Sequence, residues 1–257
     1  MAKNLWSKEE LILAFNLYLK IPFGKMHKHN PEIIALANLL NRTPSSIGMR
    51  LGNFASVDPY HQNRGVGGLK GGMNQVKPIW DEFFNNQAEL IFLSEKILAE
   101  KQHTTIETKY EEILRDISHL KGETVIREVK TRVNQSVFRE IVLANYETKC
   151  AITGIDVPEL LFASHIIPWS KNENERLNPE NGLCLSATFD KAFDKGFIGI
   201  DLNYNILISD KLKKHSKKEY YKMEFEKYEG LKLNSPSKYF PKKEFVEYHL
   251  DTIFNKN

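Results

Sequence analysis

Residues 149–200 read KCAITGIDVPELLFASHIIPWSKNENERLNPENGLCLSATFDKAFDKGFIGI. Short β-forming runs, KCAITG, ELLFASHII and GLCLS, are set between turn residues. A helix follows at about 187–195. FIGID (197–201) and YNILIS (204–209) then read as a hairpin turning at Asn203. Upstream, residues 132–148 have helical spacing, with Val133, Val137, Ile141, Val142 and Tyr146 inward. Downstream, KKEFVEYHLDTIF (242–254) is helical. The predicted order is helix, hairpin, helix, hairpin, helix.

The first hundred residues have a different texture. Ser7 and Glu10 make a capping box for a helix over 6–20. Asn30-Pro31 opens a second helix. Thr43 caps a third, with Pro44 in its first turn. Ile47, Met49 and Leu51 are expected to pack that third helix, and Ser45, Ser46 and Arg50 to face out. Two helices joined by a short turn have the shape of a helix-turn-helix, and equally of any three-helix bundle. Residues 58–78 are irregular and rich in glycine. They lack the Gly-Lys-Ser/Thr ending of a phosphate-binding P-loop. Arg64 and Lys70 among those glycines could approach a phosphate chain, or the segment could be a mobile surface loop. Residues 79–100 read as one helix. Residues 101–131 are charged and poorly apolar, which suits a spacer. A domain boundary is expected near residue 120, beside Gly122. The predicted fold class is therefore α+β, with a helical domain over 1–120 and a second domain over 121–257.

Composition narrows the function classes. The chain has 257 residues, 36 Lys plus Arg, 33 Asp plus Glu, and a formal charge of +3. With 41% hydrophobic and 27% charged residues it has globular composition. Two cysteines exclude a disulfide scaffold and a four-thiolate zinc site. The start MAKNLWSKEE has no apolar signal core, and no run approaches the ~20 apolar residues of a membrane span. A cytoplasmic protein is the expectation. Charge is uneven: residues 101–210 have 13 basic and 17 acidic side chains, and residues 211–257 have 12 and 7. The run Lys211, Lys213, Lys214, Lys217, Lys218 suits a polyanion, because each phosphate contact releases counterions. It suits a solvated helix face equally well. Arg132, Gln135 and Arg139 share one helical face, where Arg139 could meet phosphate or pair with Glu140 or Asp156.

The chemistry concentrates around His165. This histidine ends a β run, and Asn181-Gly182 opens the next strand. Asp190 and Asp194, four apart on a helix, share a face and can hold one cation. Oxygen ligands are hard and favour Mg²⁺ or Mn²⁺ over a thiolate-bound zinc. A histidine with a free pKa near ~6.5 can take a proton from water at neutral pH. The Asn181 carbonyl could fix the ring through Nδ1–H, leaving Nε2 as the base. Metal plus base is what phosphodiester hydrolysis needs. The plainer reading is a structural strand histidine and a solvated acidic pair.

The motifs 146-YETKCAITGI-155, 163-ASHIIPW-169 and 177-LNPENGLCLSATFDKAFDKGFIGID-201 occur in an order that resembles the HNH nuclease motif. They are similar to the subgroup of HNH endonucleases with an Ala-Ser-His-Ile start and a Phe-Asp-Lys-Gly end. The resemblance covers about the C-terminal half. It implies a ββα-metal nuclease domain, with His165 as general base and Asn181 orienting it. Asp190 then matches the last metal-binding position and Asp194 a further ligand position used in some branches. Ser164 stands where many members place an Asp or His ligand, and Phe189 where many have His. No zinc knuckle is expected.

The N-terminal run WSKEELILAFNLYLKIPFGK, continued by NPEIIALANLLNRTPSSIGMRLGNFASVDP, resembles the leading region of restriction-type HNH endonucleases. Together the resemblances imply a metal-dependent endonuclease acting on double-stranded DNA. Restriction or defence against foreign DNA is the implied role, with modified DNA as one candidate substrate. A palindromic target would favour a homodimer. Arg50, Arg64, Lys70, Arg132, Arg139, Lys213 and Lys214 are the candidate DNA-contacting residues. The rivals are a DNA-binding regulator with a degenerate domain, a mobile-element homing or nicking enzyme, and an RNA nuclease.

Overall fold

Ser7 and Glu10 start the first helix. The Glu10 carboxylate accepts from the Ser7 N–H at 2.7 Å while the Ser7 hydroxyl accepts from the Glu10 N–H, the reciprocal box read from the sequence. The computed structural model describes residues 5–65, 67–117 and 123–254. The chain divides into two compact units, Met1–Val137 and Phe138–Asn257. The boundary expected near residue 120, with Gly122 beside it, lies outside the described residues.

The first unit is helical. Its elements are α1 (Lys8–Lys20), α2 (Pro31–Leu39), α3 (Pro44–Val57), α4 (Pro59–Asn63), α5 (Met73–Phe83), α6 (Gln87–Lys101), α7 (Ile106–Lys109) and α8 (Glu111–Leu114). Asn30 and Thr43 cap α2 and α3. The centre is aromatic: the ring of Phe15 stacks on Phe54 at 4.7 Å and on Trp80 at 5.0 Å.

Several expectations need correcting here. Residues 79–100 are parts of two helices, because the consecutive Asn85 and Asn86 favour a turn and α6 restarts after Asn86. Met49 is exposed, since Ile47, Leu51 and Phe54 supply the inward side of α3. Arg50 is buried instead of facing out. Its guanidinium lies over the Trp6 ring at 4.8 Å, with Arg42 over the same ring at 4.4 Å. The glycine-rich segment is docked on α3. The Leu69 N–H donates to the Gly52 carbonyl at 3.0 Å, and a Cβ on Gly68 would come within 2.5 Å of that same oxygen. These glycines serve close packing of backbone on helix. The supposed spacer also packs: Ile106, Leu114, Ile117, Val129 and Val133 form a cluster of their own.

Helix α9 (Glu123–Asn145) begins earlier than the sequence suggested and runs into the second unit. There β1 (Leu161–His165) pairs antiparallel with β2 (Gly182–Ser186), with Leu161 opposite Ser186 and His165 opposite Gly182. Helix α10 (Ala187–Asp194) follows β2 directly and packs on β1. Strands β3 (Ile198–Ile200) and β4 (Ile206–Ile208) form the second hairpin. Its turn is closed by the Asp201 carboxylate, which accepts from the Asn203 and Asn205 N–H groups at 2.8 Å each. The rest is α11 (Asp210–Lys213), α12 (Glu219–Glu224) and α13 (Lys243–His249).

KCAITG is a closed turn and not a strand. The Cys150 N–H donates to the Ile155 carbonyl, and the Cys150 sulfur accepts from the N–H groups of Thr153 (3.4 Å) and Ser186 (3.2 Å). Gly182 begins β2 where the strand meets α9, and a Cβ there would come within 2.5 Å of the Val142 side chain. Among the described residues no helix is long and apolar enough to cross a membrane.

Candidate active site

The loop of residues 166–181, between the two strands of the first hairpin, builds the site. Asn181 is almost fully buried and closes the loop with three hydrogen bonds. Its Oδ1 accepts from the Ile167 N–H at 2.8 Å, and its Nδ2 donates to the carbonyls of Ile167 and Glu175, both at 3.1 Å. The neighbour of Glu175 then meets the histidine: Nε2 of His165 lies 2.8 Å from the Arg176 carbonyl oxygen. A carbonyl only accepts, so Nε2 carries the proton and Nδ1 keeps the free lone pair. This reverses the expected arrangement. Asn181 does not touch the ring; it shapes the loop whose backbone holds the ring.

Aromatic packing fixes the ring plane. Phe138 of α9 stacks on His165 at 4.4 Å and 14°, and Trp169 meets it edge-on at 5.4 Å. Burial lowers the His165 pKa, against the Arg176 carbonyl bond and the Asp190 charge, which both raise it. The imidazole is therefore neutral at pH 7, as a proton acceptor needs to be.

Asp190 is half-buried, and Asp194 lies exposed one turn later on α10. Partial desolvation and the Asp190 charge raise the Asp194 carboxyl above its ordinary range, so a cation between the two would be favourable. Ser164 is 2% exposed and its hydroxyl has no hydrogen-bond partner, an unusual state for a buried polar atom. Among the described residues no three His, Cys, Asp or Glu side chains converge on one point. The donors that α10 brings together are two carboxylates. That oxygen set fits Mg²⁺ or Mn²⁺, which bind one or two carboxylates and fill their remaining positions with water and phosphate oxygens. Phe189 offers no ligand. It is buried against Phe225 (5.5 Å) and Tyr228 (5.4 Å).

The seven candidate DNA-contacting residues divide between the two units. Arg50, Arg64, Lys70 and Arg132 belong to the first unit. Arg50 is buried, Arg64 lies over Tyr60 at 5.0 Å, Lys70 is exposed, and Arg132 pairs with Asp116 at 2.7 Å. In the second unit Arg139 donates to the carbonyls of Pro158 (2.7 Å) and Leu161 (3.1 Å), a third use beside the two expected. Lys213 pairs with Glu229 at 2.5 Å, and Lys214 is exposed.

Sequence reading missed Arg176, which lay unremarked in a polar loop. Its position beside His165 comes from loop closure and has no periodicity to reveal it. His249 lies apart from the candidate site residues in the sequence and is a packing residue in the structure. It is buried, stacks on Phe193 at 3.7 Å, and donates from Nε2 to the Phe193 carbonyl at 3.0 Å.

No curated protein matches the chain. Residues 150–201 match the family model described as HNH endonuclease. The match opens at the Cys150 turn and ends one residue after β3, so it contains the whole hairpin, its loop and α10.

Proposed function

We propose, on the premise that residues 150–201 form an HNH endonuclease module, that this protein is a metal-dependent endonuclease hydrolysing phosphodiester bonds of double-stranded DNA. The observation that carries the reading is the 2.8 Å contact between His165 Nε2 and the Arg176 carbonyl oxygen. The His165 Nε2–H is committed to the Arg176 carbonyl, and the Nδ1 lone pair is available to water. His165 takes a proton from the attacking water at Nδ1. The imidazolium so formed keeps its Nε2–H bond to Arg176 and its stack on Phe138, so the ring does not turn between steps. Asn181 holds the loop that presents that carbonyl. Asp190 and Asp194, with Ser164 as a third oxygen, would hold a divalent cation. When bound, the cation supplies neutralisation of charge on the phosphate and the leaving oxygen.

Restriction of foreign DNA, including modified DNA, is the proposed biological role, by likeness of motif order. Ser164 and Phe189 stand where stronger ligands are common, which favours a DNA-binding regulator as the second reading. The deciding experiment is cleavage of unmodified and 5-methylcytosine-containing plasmid with Mg²⁺ or Mn²⁺, beside His165→Ala. Cutting that needs the cation and is lost in the mutant supports the enzyme. Intact DNA in every lane, with binding retained, supports the regulator. Equal cutting by the mutant removes His165 from the mechanism.

A further inference from the structure

Arg176 is tied to His165 by its backbone, yet its side chain is not consumed by that role. The Arg176 carbonyl receives the His165 Nε2–H at 2.8 Å, which brings the residue against the base. The guanidinium continues the same array of rings. It lies over Trp169 at 5.1 Å, Trp169 meets His165 edge-on, and Arg176 Nε donates to the Trp169 carbonyl at 2.7 Å. These contacts hold the guanidinium plane in one orientation. A guanidinium has five N–H donors, and its terminal fork matches a phosphate.

The carboxylate that meets this fork is Glu173, at 3.2 Å. The Glu173 side chain is 80% exposed. An ion pair to so wet a carboxylate is weak and readily exchanged. Two of the candidate DNA-contacting cations of the second unit are engaged elsewhere. Arg139 is bound to two carbonyl oxygens, and Lys213 to Glu229.

We propose that Arg176 grips a DNA phosphate beside the reacting one, and that Glu173 holds the fork in the free protein and is displaced when DNA arrives. This rests on the endonuclease reading above and adds to it a substrate-positioning side chain. Binding and base presentation are thereby coupled, since the residue that grips the backbone of DNA also carries the carbonyl that fixes His165.

The test is fluorescence anisotropy of a labelled DNA duplex with the full chain, in chelator, across a series of KCl concentrations. Plasmid cleavage in Mg²⁺ is run in parallel. Arg176→Ala is expected to weaken binding about tenfold or more. It also makes the slope of log K against log[KCl] shallower by about 0.9, the loss of one phosphate contact. Arg176→Lys retains the slope but not the full affinity, because a point charge lacks the fork. Glu173→Gln binds a few-fold tighter than wild type, and this gain vanishes when Arg176 is already alanine.

An Arg176→Ala slope equal to wild type, with the wild type still cutting, overturns the phosphate grip and leaves the endonuclease reading standing. A Glu173→Gln gain that persists in the Arg176→Ala background overturns the exchange, since it would then be general charge. A wild type that neither binds nor cuts overturns both readings.

Discussion

At the residue scale, function turns on which nitrogen of His165 is free. A strand histidine beside an asparagine suggests a direct bond between them. In the structure the two are linked through the loop instead: Asn181 bonds Ile167 and Glu175, and Arg176 bonds His165. Asn181→Ala leaves the buried Ile167 N–H and the Ile167 carbonyl without partners, while the Glu175 carbonyl keeps the Asn178 N–H at 3.3 Å. It is expected to destabilise the second unit by about 2 kcal/mol, because an unsatisfied buried group costs its desolvation. It should also lower cleavage about 100-fold through a misplaced base. Urea denaturation and plasmid cleavage measure the two effects. Asn181→Asp keeps the acceptor for Ile167 but turns a carboxylate oxygen on the Ile167 and Glu175 carbonyls, so it should lose at least as much stability at pH 7 as the alanine variant. Normal cleavage by Asn181→Ala would show that the loop closes without it.

At the element scale, the hairpin and α10 bring together residues from three segments. The β1–β2 register places His165 opposite Gly182, so the base stands at the loop end of the hairpin. Gly182 lets that end approach Val142 and Phe138 of α9, the same Phe138 that stacks on His165. Gly182→Ala is expected to cost about 1–3 kcal/mol by overpacking. Cleavage should fall with it, because strand and ring plane shift together. A thermal melt unchanged from wild type would show that α9 can move away at no cost. The ββα order was legible from turn residues and alternation. The KCAITG turn was not, because its apolar residues mimic a short strand, and the backbone and sulfur contacts of Cys150 show that it curls.

At the scale of the whole molecule, two buried ionisable groups set different acid limits. In the second unit, burial lowers His249 to about 4 from an ordinary 6.5, with the Phe193 carbonyl bond opposing. The unfolded chain takes up that proton first, so stability present above pH 6.5 is lost as pH falls towards 4. In the first unit, burial alone would raise Glu95. Lys20 and Lys109 overcome it and hold the carboxyl down at about 2 against an ordinary 4.5. Stability from this group is complete above pH 4.5 and is lost as pH falls towards 2. Each contribution is about 3 kcal/mol at most. Denaturation curves at a series of pH values should show two windows of loss. His249→Gln should flatten the upper window and Glu95→Gln the lower. A single window unaffected by either variant would refute this assignment.

The sequence by itself determined the local elements and the motif. Capping boxes, prolines in first turns, apolar periodicity and turn residues act within a few positions, and the chain carries those signals openly: Ser7 with Glu10, Thr43 with Pro44, Asn181 with Gly182. The order of short motifs around His165, Asn181 and Asp190 was equally readable, and the match at residues 150–201 agrees with it. The tertiary structure alone decided which side chains are consumed by packing. Arg50 lies on Trp6, Arg139 holds two carbonyl oxygens, Phe189 sits in an aromatic cluster, and Arg176 stands beside the base. These outcomes depend on distant segments meeting. A charge or a ring has the same letter in a sequence whether its partner is water, a carbonyl 22 residues away, or DNA.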